Sequence, residues 1–391
     1  MVLWSIVASS QFWLTGRADY LACRALLGVI QGGFIPDIIL YLSYFYKHHE
    51  LSIRLSFFWT AMSLADVIAA FLAYGLLHLR GTLGKSGWRW LFLIELVSFE
   101  ERKGGLPSGK VSLYSGVAMT NDEIFSEETI MVNRVIREDP TKSGMHNRQP
   151  LTPKLLWKSM CDYDLWPLYI IGLTFQIPET TPSSYLTLTL KGLGFGTFNT
   201  NLLVIPSTVF HMITMLALAY FAEVNGELSL TSMFDQQMEV FRYHEFAAQL
   251  PFRYESFHFP TWLDIHGIAI PCSNISLAHP IQVAWCSRNS NTVRSRTVSA
   301  ALYNMFVQAG GIIAANVYRA DDAPRYKRGD RVLVAICVFN IGLYVSTKLY
   351  YTWRNKSRSK TWDKMSEEER LNYLATTKDE GNKRLDFRFA Q

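Results

Sequence analysis

Long apolar runs without charged residues constrain this chain more than any other feature. Residues 197–222 contain no Asp, Glu, Lys or Arg, and residues 55–79 contain one acid, Asp66. A helix rises about 1.5 Å per residue, so about 20 such residues cross a bilayer core that is about 30 Å thick. A soluble helix of that length would have a polar face, and these runs have none. The sequence therefore predicts an all-α fold of membrane-spanning helices.

Eight apolar runs are candidates for spans. They lie at about residues 1–16, 20–46, 55–79, 165–190, 198–222, 262–287, 297–318 and 332–353. A ninth run, 88–99, would extend only about 18 Å as a helix, which is too short to cross the bilayer core. We expect this run to be a stub.

Two long polar stretches divide the spans into groups. Residues 1–99 hold three spans and the stub, and residues 100–160 form a polar central loop rich in Gly and Pro. Residues 161–353 hold the other five spans and a polar insert, 223–261, without a run long enough to span. Residues 354–391 are expected to be a cytosolic tail, in which Ser366 followed by Glu369 gives a capping-box start for a short helix.

Charge and cysteine content narrow the possible partners. A net charge of +5 suits either nucleic acid or an anionic membrane face, but the basic residues cluster in the loops between apolar runs. We therefore expect a lipid bilayer and no nucleic acid as partner. The five cysteines have no CxxC spacing, and four lie in or beside apolar runs, so we expect small buried hydrophobes and neither a metal site nor a disulfide framework. No cofactor is expected.

The second span carries an arginine and a glutamine on one helix face. Arg24 and Gln31 are seven residues apart. An arginine inside a membrane is costly unless it meets an anion or a polar cavity, and its fork geometry suits carboxylate, sulfonate or phosphate. The alternative is an interfacial arginine that extends to the lipid headgroups. Three glycines of the same segment would allow close helix packing: Gly28, Gly32 and Gly33.

Other polar residues interrupt the apolar runs. Asp66 could carry a proton or pair with a base in another helix, whereas Glu179, between Pro178 and Pro182, favours a kink near an aqueous end. His211 is more typical of a hydrogen-bonded core histidine than of a proton carrier. In the seventh span Tyr303, Asn304 and Gln308 either line a cavity or bond to a neighbouring helix.

No catalytic constellation is present in the sequence. The glycines of 192–196 lack the strand and helix of a nucleotide site, and Ser, His and Asp do not fall in a hydrolase signature. We predict that the chain is not an enzyme.

Several segments resemble the fungal allantoate permease family, in the anion:cation symporter branch of the major facilitator superfamily. Residues 24–37, RALLGVIQGGFIPD, resemble the fourth-helix signature of that family. Further similar segments are 41–54, 87–95, 288–294, 318–324 and 384–389. The resemblance implies two six-helix bundles, with a substrate site between them near the midplane and alternating access.

The resemblance also implies site residues and a function. Arg24 matches the position that binds the anionic group of the substrate, and Gln31 matches a position that is a proton-coupling glutamate in many relatives. Asn304 and Gln308 are expected to line the cavity. The resemblance implies uptake of a small organic anion, such as allantoate, a vitamin, a peptide or a sulfonate. It also implies a location at the plasma membrane, and uptake is coupled to protons in relatives. Helices one, two and nine are expected to be missing and helix six cut short. The alternative is therefore a non-transporting remnant or a faulty gene model.

Overall fold

A computed structural model describes most of the chain. The described residues are 2–47, 49–76, 89, 92, 133, 134, 137, 153–192, 197–249, 278–290, 293–322, 326–377, 379 and 381–391. The predicted stub at 88–99, apart from two residues, lies outside this part. So do most of the central loop 100–160 and residues 262–277 of the sixth predicted span.

The described residues of the first helix group form four helices. They are α1 (Val2–Ser10), α2 (Arg17–Gln31), α3 (Phe34–Phe45) and α4 (Leu51–Leu76). The predicted span 20–46 is thus two helices that join at Gly32 and Gly33, both of which keep right-handed helical torsion angles. No atom of the described residues lies within 4 Å of a Cβ placed on Gly28. Within the described part of the chain, no close packing is therefore seen at Gly28.

The second group begins after the central loop. Its helices are α5 (Pro153–Met160), α6 (Trp166–Thr174), α7 (Ile177–Gly192), α8 (Thr197–Asn225), α9 (Leu228–Gln249), α10 (His279–Ser290), α11 (Val293–Ala314) and α12 (Lys327–Trp362), followed by α13 (Glu367–Thr376). The predicted span 165–190 is interrupted between α6 and α7. The polar insert 223–261 contains α9, a helix of 22 residues that packs against α12, which the sequence did not lead us to expect.

Among the described residues, five segments are long and apolar enough to cross a membrane. They are Arg17–Ser43, Leu51–Leu72, Thr208–Asn225, Ser295–Ala314 and Lys327–Trp362. Large apolar side chains on their outer faces, such as Val29, Phe57, Ile213 and Leu349, are exposed, as a surface that faces lipid requires. The described part of the chain contains no strand. The predicted all-α, multi-spanning membrane fold is confirmed.

The two groups meet along a shared core. Helix α4 packs against α8 and α10, and α11 packs against α3, α6 and α10. Leu51 and Leu55 of α4 are buried in one cluster with Ala219 and Ala222 of α8. The interior of the second group is rich in buried aromatic side chains, among them Trp285.

The cysteines are partly as predicted. Cys286 and Cys337 are buried, Cys23 is half-buried and Cys161 is exposed. Cys272 lies outside the described residues. The tail begins α13 with the predicted capping box: the Ser366 hydroxyl accepts from the Glu369 amide, and the Glu369 carboxylate accepts from the Ser366 amide.

Candidate functional site

The predicted anion contact lies on the outside of α2. Arg24 is exposed, and its guanidinium lies over the ring of Tyr20 at 5.2 Å from the centroid. Among the described residues, no carboxylate pairs with it. Gln31, half-buried, is the last residue of the same helix. Within the described part of the chain, the Arg24 guanidinium is thus not neutralised, although it lies in a segment of membrane-spanning length.

The other two predicted residues lie on a different helix. Asn304 of α11 is half-buried and Gln308 is exposed. Helix α11 packs against α3, which directly follows Gln31, whereas α2 packs against α1. The structure thus brings the helix of Asn304 and Gln308 next to the segment that continues from Gln31, with Arg24 one helix further away.

The remaining polar residues named from the sequence have separate places. Asp66 is exposed on α4. Glu179 is buried in the first turn of α7, just after the break that separates this helix from α6, and Pro182 lies inside the helix. This position agrees with the predicted kink. His211 is buried inside α8.

A buried chain of hydrogen bonds links three helices of the second group. The Tyr303 hydroxyl donates to Oε1 of Gln282 at 2.7 Å, and Nε2 of Gln282 donates to the Tyr344 hydroxyl at 2.6 Å. All three side chains are buried. Because both ends of the Gln282 amide are satisfied, the amide orientation is fixed and α10 is tied to α11 and α12.

A second polar chain lies at the break between α6 and α7. Thr174 donates to Oδ1 of Asn340 at 2.5 Å, and Nδ2 of Asn340 donates to Oε1 of Gln236 at 3.0 Å. Nε2 of Gln236 then donates to the main-chain oxygen of Phe175 at 3.3 Å, close to where the regular helix ends. This chain supplies a polar partner to a carbonyl of an interrupted helix, which inside a membrane must find one within the protein.

His279 lies where the two helix groups meet. Its ring stacks on Phe175 at 5.5 Å, lies 6.0 Å from the ring of Tyr303, and meets Trp59 of α4 edge-on at 4.7 Å. Nδ1 of His279 is buried, with no hydrogen-bond partner among the described residues. A buried polar atom left in that state costs about 1–3 kcal/mol, so this nitrogen is suited to accept a hydrogen bond from a bound group.

The sequence did not single out Gln236, Gln282, Asn340 or His279 as site residues. A signal was present for His279 and Gln282, because amide and imidazole side chains inside a run without charge are costly unless they are bonded or used; Gln236 gave none, since it lies beside Asp235 in a polar stretch. The sequence could not indicate which of these four side chains lie close together inside the protein.

The described part of the second group places hydrogen-bond donors and acceptors in its interior, whereas the Arg24 guanidinium lies apart from them on the outside of α2. Among the described residues, no group of three or more His, Cys, Asp or Glu side chains is placed to hold a metal ion. Amide and hydroxyl side chains in such an interior are groups that can bind a small polar solute.

Comparison with known proteins identifies relatives, although no family model matches the chain. The uncharacterized transporter YIL166C of Saccharomyces cerevisiae is 41% identical over all of this chain and 72% of its own length. The MFS transporter prlL of a fungal species is 25% identical, over 91% of this chain and 70% of its own. The major facilitator-type transporter hxnP of Emericella nidulans is 23% identical, over 90% of this chain and 68% of its own.

Proposed function

The chain belongs to the major facilitator superfamily of membrane transporters, not to a family of enzymes, and from that premise we propose that it carries a small organic anion across the membrane. We place it in the allantoate permease branch, at the plasma membrane, with uptake coupled to protons. The substrate class is a carboxylate or sulfonate of the size of allantoate, a vitamin or a short peptide.

The observation that carries this proposal is the guanidinium of Arg24, with which no carboxylate of the described residues pairs. A positive charge within a segment of membrane-spanning length is costly when nothing neutralises it. A carboxylate or sulfonate of the solute would neutralise it through two parallel hydrogen bonds, for which the guanidinium has the required geometry. Arg24 is therefore the proposed anion contact.

Gln31, Asn304 and Gln308 are the proposed lining of the solute path. Gln31 ends α2, and the helix that carries Asn304 and Gln308 packs against α3, which follows. Amide side chains can donate to the solute and accept from it, which suits a solute with both carbonyl and N–H groups. Because glutamine does not titrate, proton coupling has to use another group.

The test is uptake of labelled organic anions at acidic and neutral pH by cells that express the chain. Arg24→Ala should raise KM by about 10- to 100-fold, the equivalent of about 1.5–3 kcal/mol for a lost hydrogen bond to a charged group. Arg24→Lys should lose less, because it keeps the charge. Arg54→Ala is a matched control, since Arg54 is also exposed and lies 4.8 Å above a tyrosine ring, that of Tyr46, but in the first turn of α4.

Normal uptake by the Arg24→Ala variant would rule out the anion contact. Uptake only by a version extended with the helices of twelve-helix relatives would mean that this chain is a non-transporting remnant. The extended version is included because this chain matches 72% of the length of the yeast transporter.

A further inference from the structure

Helix α12 is longer than a bilayer core requires. Its 36 residues, Lys327–Trp362, extend about 54 Å at about 1.5 Å per residue, whereas the core is about 30 Å thick. Residues 332–353 have one charged side chain, Lys348, and extend about 33 Å, which is enough to cross the core. Residues 354–362, the end of the helix, therefore continue through the headgroup region on one side of the bilayer.

One face of α12 carries exposed apolar side chains up to that boundary. Val345, Leu349 and Trp353 follow one another at intervals of four residues, so they form one lipid-facing stripe along the helix. Leu349 is 64% exposed and Trp353 61%. Trp353 ends the stripe, and tryptophan is enriched where the hydrocarbon core meets the headgroups. The stripe therefore marks both the side of α12 that lipid covers and the level at which the headgroups begin.

Two lysines continue the lipid-facing stripe beyond Trp353. Lys356 and Lys360 follow Trp353 by three and seven residues, spacings that keep side chains on one face of a helix. Both lysines are exposed. Along the helix axis they lie about 4.5 Å and about 10.5 Å beyond Trp353, which is the depth of the headgroup layer. Two ammonium groups are thus placed where lipid phosphates lie.

The arginines of the same segment lie on the opposite face of α12 and bond within the protein. Nη2 of Arg354 pairs with Oδ2 of Asp164 at 3.1 Å, and Nη1 of Arg358 donates to the main-chain oxygen of Phe387 at 3.3 Å. By contrast, no carboxylate of the described residues forms an ion pair with either lysine. The positive charge that faces the lipid is therefore not compensated within the described part of the chain.

We propose that Lys356 and Lys360 bind the phosphate of an anionic phospholipid whose acyl chains lie along the lipid-facing stripe. Lysine binds phosphate as a point charge, and its apolar stem can lie against the lipid while the ammonium group reaches the headgroup. Basic residues directly beyond a membrane helix attract anionic lipids, by about fivefold in affinity for each residue. A free phosphate ion would meet the lysines alone, whereas a phospholipid also covers the exposed surface of Leu349 and Trp353. The site depends on the membrane-spanning fold and not on the proposed function.

The other end of α12 provides a matched control. Lys327 and Arg331 are also exposed basic residues four positions apart. Asp330 lies between them in sequence, and Asp321 and Asp322 directly precede the helix. These acids offset the positive charge, so an anionic headgroup gains less at this end. Lys327→Gln with Arg331→Gln therefore removes the same number of charges from the same helix outside the proposed site.

The test is thermal unfolding of the purified chain in detergent with increasing phosphatidylserine, phosphatidylcholine or the soluble headgroup glycerophosphoserine. A lipid that binds only the folded protein raises the unfolding temperature. We expect phosphatidylserine to stabilise the unaltered protein and the control variant equally. Lys356→Gln with Lys360→Gln should need about 20-fold more phosphatidylserine for the same stabilisation, since two charges are lost. Lys356→Arg with Lys360→Arg should behave like the unaltered protein, because both charges remain.

Three results would overturn the proposal. An equal response to phosphatidylserine after loss of the two lysines would mean that they do not bind it. Equal stabilisation of the unaltered protein by phosphatidylcholine would mean that the negative charge of the lipid is not recognised. Equal stabilisation by glycerophosphoserine at the same concentration would identify a site for a soluble phosphate and not for a lipid.

Discussion

Gly310 of α11 lies directly against the carbonyl of Leu173 in α6. A Cβ placed on Gly310 would be 2.2 Å from the Leu173 oxygen, far inside a van der Waals contact. The two backbones can approach this closely only because residue 310 has no side chain. Small residues of this kind allow close packing of membrane helices.

Gly310→Ala should therefore destabilise the protein by about 1–3 kcal/mol, because the obstructing atom belongs to the backbone and cannot rotate away. The neighbouring Gly311→Ala is the control, since nothing lies within 4 Å of its Cβ position, and it should gain up to about 1 kcal/mol from helix propensity. Thermal unfolding of the two purified variants in detergent measures the difference. Equal unfolding temperatures would mean that α6 and α11 are not in close contact.

The sequence indicated small-residue packing at Gly28, Gly32 and Gly33, whereas the close approach seen among the described residues is at Gly310. Gly28, Gly32 and Gly33 are spaced like a packing motif, yet Gly32 and Gly33 fall where α2 and α3 join. Whether a glycine allows a close approach depends on which helix lies opposite, and this is tertiary information. The spans were predictable from hydropathy because a bilayer imposes a length and an apolar surface on each helix.

The interior of the second group was less predictable for a related reason. Helix α9 has a polar composition, since Asp235, Gln236 and Glu239 are buried towards other helices and not towards lipid. A search for membrane spans by hydropathy alone misses a helix with such a polar composition. Arg24 was identified because a charge within an apolar run is itself unusual, whereas Gln282 becomes notable only when Tyr303 and Tyr344 are seen on either side of it.

Tyr303→Phe should reduce stability by about 1–3 kcal/mol, since it leaves Oε1 of Gln282 buried without its donor. Tyr220→Phe is a suitable control, because Tyr220 is 63% exposed on α8 and its hydroxyl can bond elsewhere. Adding Gln282→Leu to Tyr303→Phe should cost less than the sum of the two single changes, because both partners of the bond are then gone. Additive costs in unfolding measurements would show that the bond is not formed.

Acid should weaken the contacts of Asp164. Burial alone would raise the pKa of this carboxyl, but hydrogen bonds from Lys383 and Tyr350 and the charges of Lys383 and Arg354 outweigh it and hold the pKa below its usual value. A carboxyl with a lowered folded-state pKa stabilises the protein fully above its unfolded pKa of about 3.9 and loses this effect as the pH falls through the folded value.

Asp164→Asn should consequently lower the unfolding temperature at pH 7, and its difference from the unaltered protein should shrink as the pH approaches about 3. The exposed Asp363 provides the control, Asp363→Asn, for which we expect little difference at either pH. Thermal unfolding in a pH series measures both variants. A constant difference for Asp164→Asn across the series would mean that the carboxylate charge does not stabilise the fold.

Glu223 and Arg288 form an ion pair between the ends of α8 and α10, with side chains that are 7% and 13% exposed. The Arg288 guanidinium also donates to the Ser52 hydroxyl of α4 at 3.4 Å, so it connects the two helix groups. Removal of one partner of a buried pair leaves an uncompensated charge, and we expect Glu223→Gln to cost about 3–5 kcal/mol.

Asp321→Asn is the comparison. Asp321 and Arg328 pair at 3.3 Å with side chains that are 60% and 75% exposed, and loss of such a pair costs at most about 1 kcal/mol. Replacing both buried partners, in Glu223→Leu with Arg288→Met, should recover much of the loss seen with Glu223→Gln, because no buried charge remains. Unfolding temperatures in detergent would show this order, and an equally small loss for Glu223→Gln and Asp321→Asn would mean that water reaches the pair between α8 and α10.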